Sequence, residues 1–161
     1  HYKDAIRIDK DFYPAKVNLA SLFNRSGDNQ SAEILLRDVT ENHPEVDEAW
    51  YMMALLLAEE GKLEEAIHYA EKATELMPTN DRAYYNLGLL YNQTGELINA
   101  EKALGEALSL SPENPDYLYA LVYHYMQLEQ YNLAKPFLLK LIELFPENQD
   151  FRQMLSGIEN K

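Results

Sequence analysis

Four stretches of the chain share one arrangement of apolar and polar positions: KVNLASLF, WYMMALLL, YYNLGLLY and LYALVYHY, beginning at Lys16, Trp50, Tyr84 and Leu118. Apolar residues recur in them at i, i+3, i+4 and i+7, the period of one helical face and not the alternation of a strand. Trp50, Met53, Ala54 and Leu57 therefore share one stripe, as do Tyr84, Leu87, Gly88 and Tyr91. The small residues Ala20, Ala54 and Gly88 leave room for a second helix to approach closely, and Val122 takes that place in the last stretch.

Each stretch is followed by a turn signal and a second helical run. Gly27, Gly61 and Gly95 mark the turns, because glycine tolerates the positive φ that ends a helix. Glu129 stands there in the fourth copy, which predicts a slightly different turn. Ala32, Ala66, Ala100 and Ala134 sit in the second helices, and Pro44, Pro78, Pro112 and Pro146 stop them. All three residue types keep a 34-residue spacing without insertion, the mark of a repeat architecture. It divides the chain into repeats 13–46, 47–80, 81–114 and 115–148, with second helices over about repeat positions 18 to 31. Pro136 lies near the start of its helix and costs at most one backbone hydrogen bond. Gly105 lies mid-helix and costs about 1 kcal/mol relative to alanine.

The ends follow the same spacing. Tyr2, Ala5 and Ile8 align with Ala70, Ala73 and Leu76, so 1–12 reads as the second-helix remnant of a repeat further upstream. Phe151, Met154, Leu155 and Ile158 predict a capping helix within 149–161, ended by Gly157 and the polar Glu159, Asn160 and Lys161. Stacked hairpins need such a cap to cover the last apolar face. A single domain over 1–161 is expected.

Trp50 and Tyr84, Leu87–Gly88, Tyr91, Ala100, Ala107 and Pro112 together resemble the tetratricopeptide repeat consensus, and the resemblance covers nearly the whole chain. It implies an all-α fold, a right-handed superhelical α-solenoid of antiparallel helix pairs whose inner groove is lined by first helices. It also implies a non-catalytic protein–protein interaction scaffold, a role this fold plays for many unrelated adaptors. The run from AIRIDKDFYPAKVNLASL to NPDYLYAL is similar to the C-terminal repeat segments of some bacterial multihaem cytochrome-like proteins. That likeness implies an exported redox protein with its haem sites upstream. The sequence alone names no compartment: the alternatives are cytoplasmic and, in that case, periplasmic.

Charge narrows the partners. Fourteen basic against 27 acidic residues leave a formal charge of −13, which repels nucleic acid and anionic lipid. The longest apolar run, Met52 to Ala58, is too short to cross a bilayer, and no targeting segment is visible. With no cysteine, this segment has no thiolate metal ligand, thiol nucleophile or haem-attachment motif. The histidines form no HExxH or i, i+4 pair. His68, with Glu64 and Glu71 within a turn, reads as a surface residue, and His124 as a packed or hydrogen-bonded one. No phosphate loop, nucleophile elbow or triad appears, so no catalytic residue, metal or cofactor is expected.

Residues beside the packing stripe, at repeat positions 2, 5, 6, 9, 12 and 13, are the ones free to face the groove. The candidate peptide-binding residues among them are Asn18, Tyr51, Leu55, Arg82, Tyr85, Asn86, Leu89, Tyr119 and Tyr123. Tyr51, Tyr85 and Tyr119 hold position 5 in successive repeats and form a tyrosine ladder, and Asn18, Asn86 and Asn92 add side-chain amides for an extended backbone. Tyrosine suits recognition because it offers area at low entropic cost and keeps a polar tip. The competing reading is that position 5 packs between hairpins. The groove holds three acids (Glu48, Glu59, Asp116) and two arginines (Arg25, Arg82), so the acidic excess falls on second helices and loops. Repeats that clamp a chaperone's C-terminal carboxylate carry Lys and Asn where this chain has Val17 and Ser21, Asn at Met52, and Lys and Arg at Arg82 and Asn86. That clamp is absent. The expected partner is a protein or peptide, with self-association or docking to an upstream region as the alternative.

Overall fold

Each apolar stripe becomes the buried face of a helix. The computed structural model describes residues 1–159, and these form ten α-helices and no strand. By contact the chain falls into two units, His1–Pro78 and the residues from Thr79 onward. The first contains α1 (Tyr2–Ile8), α2 (Tyr13–Arg25), α3 (Asn29–Asn42), α4 (Asp47–Glu59) and α5 (Leu63–Leu76). The second contains α6 (Asp81–Thr94), α7 (Leu97–Leu110), α8 (Pro115–Gln127), α9 (Tyr131–Leu144) and α10 (Gln149–Glu159). Asn160 and Lys161, the last residues of the expected cap, lie outside the described residues.

Within the first unit, α2 with α3 and α4 with α5 form antiparallel hairpins, α3 packs on α4, and α1 lies against α2. Within the second, α6 with α7 and α8 with α9 do the same, α7 packs on α8, and α10 lies against α9. The second helices start and stop one residue earlier than the spacing predicts. His43, Met77, Ser111 and Phe145 follow them in non-helical conformations, as residues preceding proline are driven to be. Asp28 and Asn80 cap helix starts by accepting from the Ser31 and Ala83 amides at 3.2 and 3.1 Å.

The turns bring one correction. Gly27, Gly61 and Gly95 have φ of 81°, 75° and 82°, and Glu129 takes the same left-handed conformation at φ 55°. The fourth turn therefore keeps its shape and carries the strain of a side chain there. Pro136 sits on the exposed side of α9, which continues through it to Leu144.

The cores follow the stripes. Met53, Leu56 and Leu57 of α4 are fully buried in the first unit, as are Leu36 and Val39 of α3. In the second unit Leu104, Leu121, Tyr125 and Ala134 form one cluster, and Leu118, Val122, Leu138, Leu141 and Ile158 another. A Cβ on Gly88 would lie 2.7 Å from Leu104 Cγ, so α6 and α7 touch at van der Waals distance through that glycine. Lys16 holds a stripe position in the first repeat and is buried, with its ammonium donating to Asp38 of α3.

Candidate functional site

The nine candidate residues lie on first helices, and they differ in exposure. On α6 of the second unit, Arg82, Tyr85, Asn86 and Leu89 recur at helical spacing on one side. Arg82 is exposed, whereas Tyr85 and Leu89 are half-buried against the Leu104–Leu121 cluster and Asn86 is also half-buried. On α8, which touches α6, Tyr119 and Tyr123 stand one turn apart with 45% and 52% of their surface exposed. Gln127, one turn further along the same helix, donates from Nε2 to the Tyr123 hydroxyl at 2.7 Å.

In the first unit Asn18 on α2 is exposed, and its Nδ2 donates to the Pro14 carbonyl one turn back at 2.7 Å. Tyr51 on α4 is half-buried, and Leu55 one turn further is 36% exposed. Val17, the position-5 residue of the first repeat, is buried in the core and does not face a groove. Asn24 Nδ2 lies 3.4 Å from Glu59 Oε2, which joins α2 to α4 at the far end of this surface.

Repeat position 3 supplies part of the packing against these residues. It is alanine at Ala15, Ala49 and Ala83 and turns aromatic at Tyr117 and, in the same phase, Phe151. The Tyr85 ring packs on Tyr117 with centroids 4.9 Å apart, and Tyr119 lies 6.2 Å from Phe151. Packing thus takes up part of the ladder, and it takes up Tyr85 more than Tyr119. Tyr117 is itself buried, and burial with a bond to Asp81 pushes its hydroxyl up to about 12. Asp81 also accepts from the Ser111 hydroxyl at 2.6 Å, a bond that holds its carboxyl below the usual range. The switch from alanine to aromatic at position 3 was the sequence signal for these partners.

Asn92 is turned inward. Its Oδ1 lies 2.7 Å from Nδ1 of His124, a fully buried residue on α8, so the amide serves a core contact in place of a ligand. Burial lowers the His124 pKa, against the pull of Glu101 in the other direction. His68 is exposed with its ring edge-on to Trp50 at 6.4 Å. Among the described residues no helix is long and apolar enough to cross a membrane, and no group of three or more His, Cys, Asp or Glu gathers as for a metal ion.

With helix pairs and their repeat spacing in place, comparison with known families is decisive. A family profile described as TPR repeat matches residues 54–95, and one described as Tetratricopeptide repeat matches 81–114 and 115–148. The chain carries tetratricopeptide repeats. Such repeats typically serve as protein–protein interaction scaffolds and are generally non-catalytic. Among solved structures, MamA from Desulfovibrio magneticus RS-1 is similar over 89% of this chain and 81% of its own, at 24% identity and a TM-score of 0.82. PilF of Pseudomonas aeruginosa aligns over 97% of this chain and 71% of its own, at 16% identity and a TM-score of 0.78. A thermophilic tetratricopeptide protein from Thermus thermophilus aligns over 99% of this chain and 88% of its own, at 20% identity and a TM-score of 0.66. At such identities the likeness concerns the α-solenoid fold alone. No curated protein matches, and the likeness to multihaem cytochrome-like proteins finds no support in these comparisons.

Proposed function

We propose that these repeats bind an extended or helical segment of a protein partner along the outward faces of their first helices. The reading is carried by Tyr119 and Tyr123, two aromatic rings one turn apart on α8 that remain about half exposed after folding. Large exposed aromatics concentrate binding energy, since each offers apolar area and a hydroxyl with few rotors to immobilise. Arg82 on the neighbouring α6 supplies a cation for an acidic or C-terminal group of the ligand. In the first unit the corresponding contacts are Tyr51, Leu55 and Asn18, with the amide oxygen of Asn18 as acceptor. The repeats themselves run 13–46, 47–80, 81–114 and 115–148 in this reading.

The test is affinity capture from an extract of the source cell with wild type and the Tyr119→Ala/Tyr123→Ala pair. Both rings project from α8, so the pair keeps its helical circular dichroism and loses the captured partner. Equal capture by the two proteins rules the reading out. Tyr85 is a poorer choice for this test, because removing it also takes a packed ring from Tyr117.

A second reading is favoured by α1, none of whose residues is buried and whose Ile8 is 84% exposed. In this reading α1 docks on another apolar face, of a second copy or of a neighbouring domain. Sedimentation at several concentrations, with Ile8→Ser alongside, separates self-association from a strict monomer.

A further inference from the structure

The second unit carries another concave surface, on the side of α8 opposite to Tyr119 and Tyr123. A groove of about 830 Å³ is walled by Ile98 and Glu101 of α7, Leu121 and Tyr125 of α8, and Phe137 of α9. Ile98 is 85% exposed, and Gly105 leaves the middle of the α7 wall open, with nothing within 4 Å of the place a Cβ would take. Glu101 and Glu106 line the groove with one lysine, Lys102, so its rim is net acidic.

The first unit carries a counterpart of this arrangement with its own side chain in place. Two repeats earlier, the places of Glu101, Gly105 and Phe137 are taken by Glu33, Arg37 and Tyr69. There Arg37 Nη2 donates to Glu33 Oε1 at 2.7 Å and Nη1 to the Tyr69 hydroxyl at 3.4 Å, so the guanidinium bridges α3 to α5. The bond to Arg37 holds the Glu33 carboxyl below its ordinary range. In the second unit the glutamate and an aromatic ring are kept, Phe137 lacks the hydroxyl of Tyr69, and the arginine is a glycine. Glu101 accepts from the Tyr125 hydroxyl at 2.7 Å on Oε1, and a carboxylate has further acceptor positions. Glu33 uses its own in that way, taking Arg37 on one oxygen and Lys62 on the other.

We propose that the α7–α9 groove docks a helical segment of a partner protein that presents an arginine flanked by apolar side chains. Its guanidinium occupies the place that Arg37 fills in the first unit, paired with Glu101 beside the Phe137 ring. Arginine fits better than lysine, because its planar fork both pairs with a carboxylate and stacks on an aromatic face. The apolar flanks cover the exposed Ile98, and Gly105 lets the partner approach without meeting a side chain. This surface is independent of the one carrying Tyr119 and Tyr123.

The probe is an amphipathic helical peptide of about four turns with a leucine face and one central arginine, titrated into the full chain and followed at the Gly105 amide and Phe137 ring resonances. Replacing that arginine by citrulline keeps the shape and removes the charge, and is expected to weaken binding about tenfold or more. Gly105→Arg supplies the guanidinium within the chain and is expected to abolish binding. Glu101→Gln, which still accepts from Tyr125, is expected to weaken it about tenfold. Equal affinity for the arginine and citrulline peptides overturns the proposal. So does undiminished binding to both variants, binding that shifts Tyr119 and Tyr123 in place of Gly105 and Phe137, or no binding at millimolar peptide.

Discussion

His124 shows at the scale of one residue how burial makes chemistry out of an ordinary side chain. Its Nδ1 meets Asn92 Oδ1 at 2.7 Å, its Nε2 has no partner among the described protein groups, and its ring lies edge-on to Tyr125. Burial lowers its pKa in the folded chain, so the unfolded chain takes up a proton first as pH falls. The stability it contributes is complete above the ordinary imidazole value near 6.5 and is lost as pH drops below it towards the folded value. Hydrogen exchange in α8 should accordingly quicken as pH is lowered from above that ordinary value to below it, once the intrinsic pH dependence of exchange is removed, and His124→Phe should flatten the response. Gly88 makes a steric counterpart. Gly88→Ala gains helix propensity but forces a Cβ to within 2.7 Å of Leu104 Cγ and 3.1 Å of the Leu104 backbone nitrogen. The expected net loss is about 1–2 kcal/mol, read from urea unfolding. Ala54, at the same place in the first unit, carries a Cβ there and is buried.

The element most informative about local rules is the turn between α8 and α9. Glu129 replaces the glycine of the other turns and still adopts φ 55°, because the hairpin contacts of α8 with α9 dictate the chain's path there. A side chain in the left-handed region costs about 1–2 kcal/mol, part of which glycine would return through its greater freedom in the unfolded chain. Glu129→Gly should therefore stabilise the protein by about 0.5–1 kcal/mol, visible as a raised melting temperature. Gly95→Ala, at φ 82°, should move it the other way. The sequence predicted a changed turn from a changed residue, and packing overrode the local preference. Helix ends were more legible: a proline two residues beyond each second helix leaves the chain no way to continue it.

For the whole molecule the dominant long-range term is charge. With 27 acidic and 14 basic residues the folded chain repels itself, and added salt screens that repulsion within about 10 Å at 0.1 M. The unfolding midpoint should rise between roughly 20 and 500 mM sodium chloride. A fall over that range would mean that ion pairs such as Arg37 with Glu33 outweigh the net repulsion.

The 34-residue spacing was enough to determine the helices, their pairing into hairpins and which face of each is buried, because a strict period leaves one set of apolar stripes to cover. It also placed the candidate residues on first helices. Their exposure was beyond it. Position 5 is buried at Val17, half-buried at Tyr51 and Tyr85 and open at Tyr119, since each depends on what stands across from it. The same holds for Asn92, taken up by His124, and for Gly105, which leaves open in one unit the place Arg37 fills in the other. A period specifies which way a side chain points along its own helix. Only tertiary contact decides whether the space it points into is already occupied.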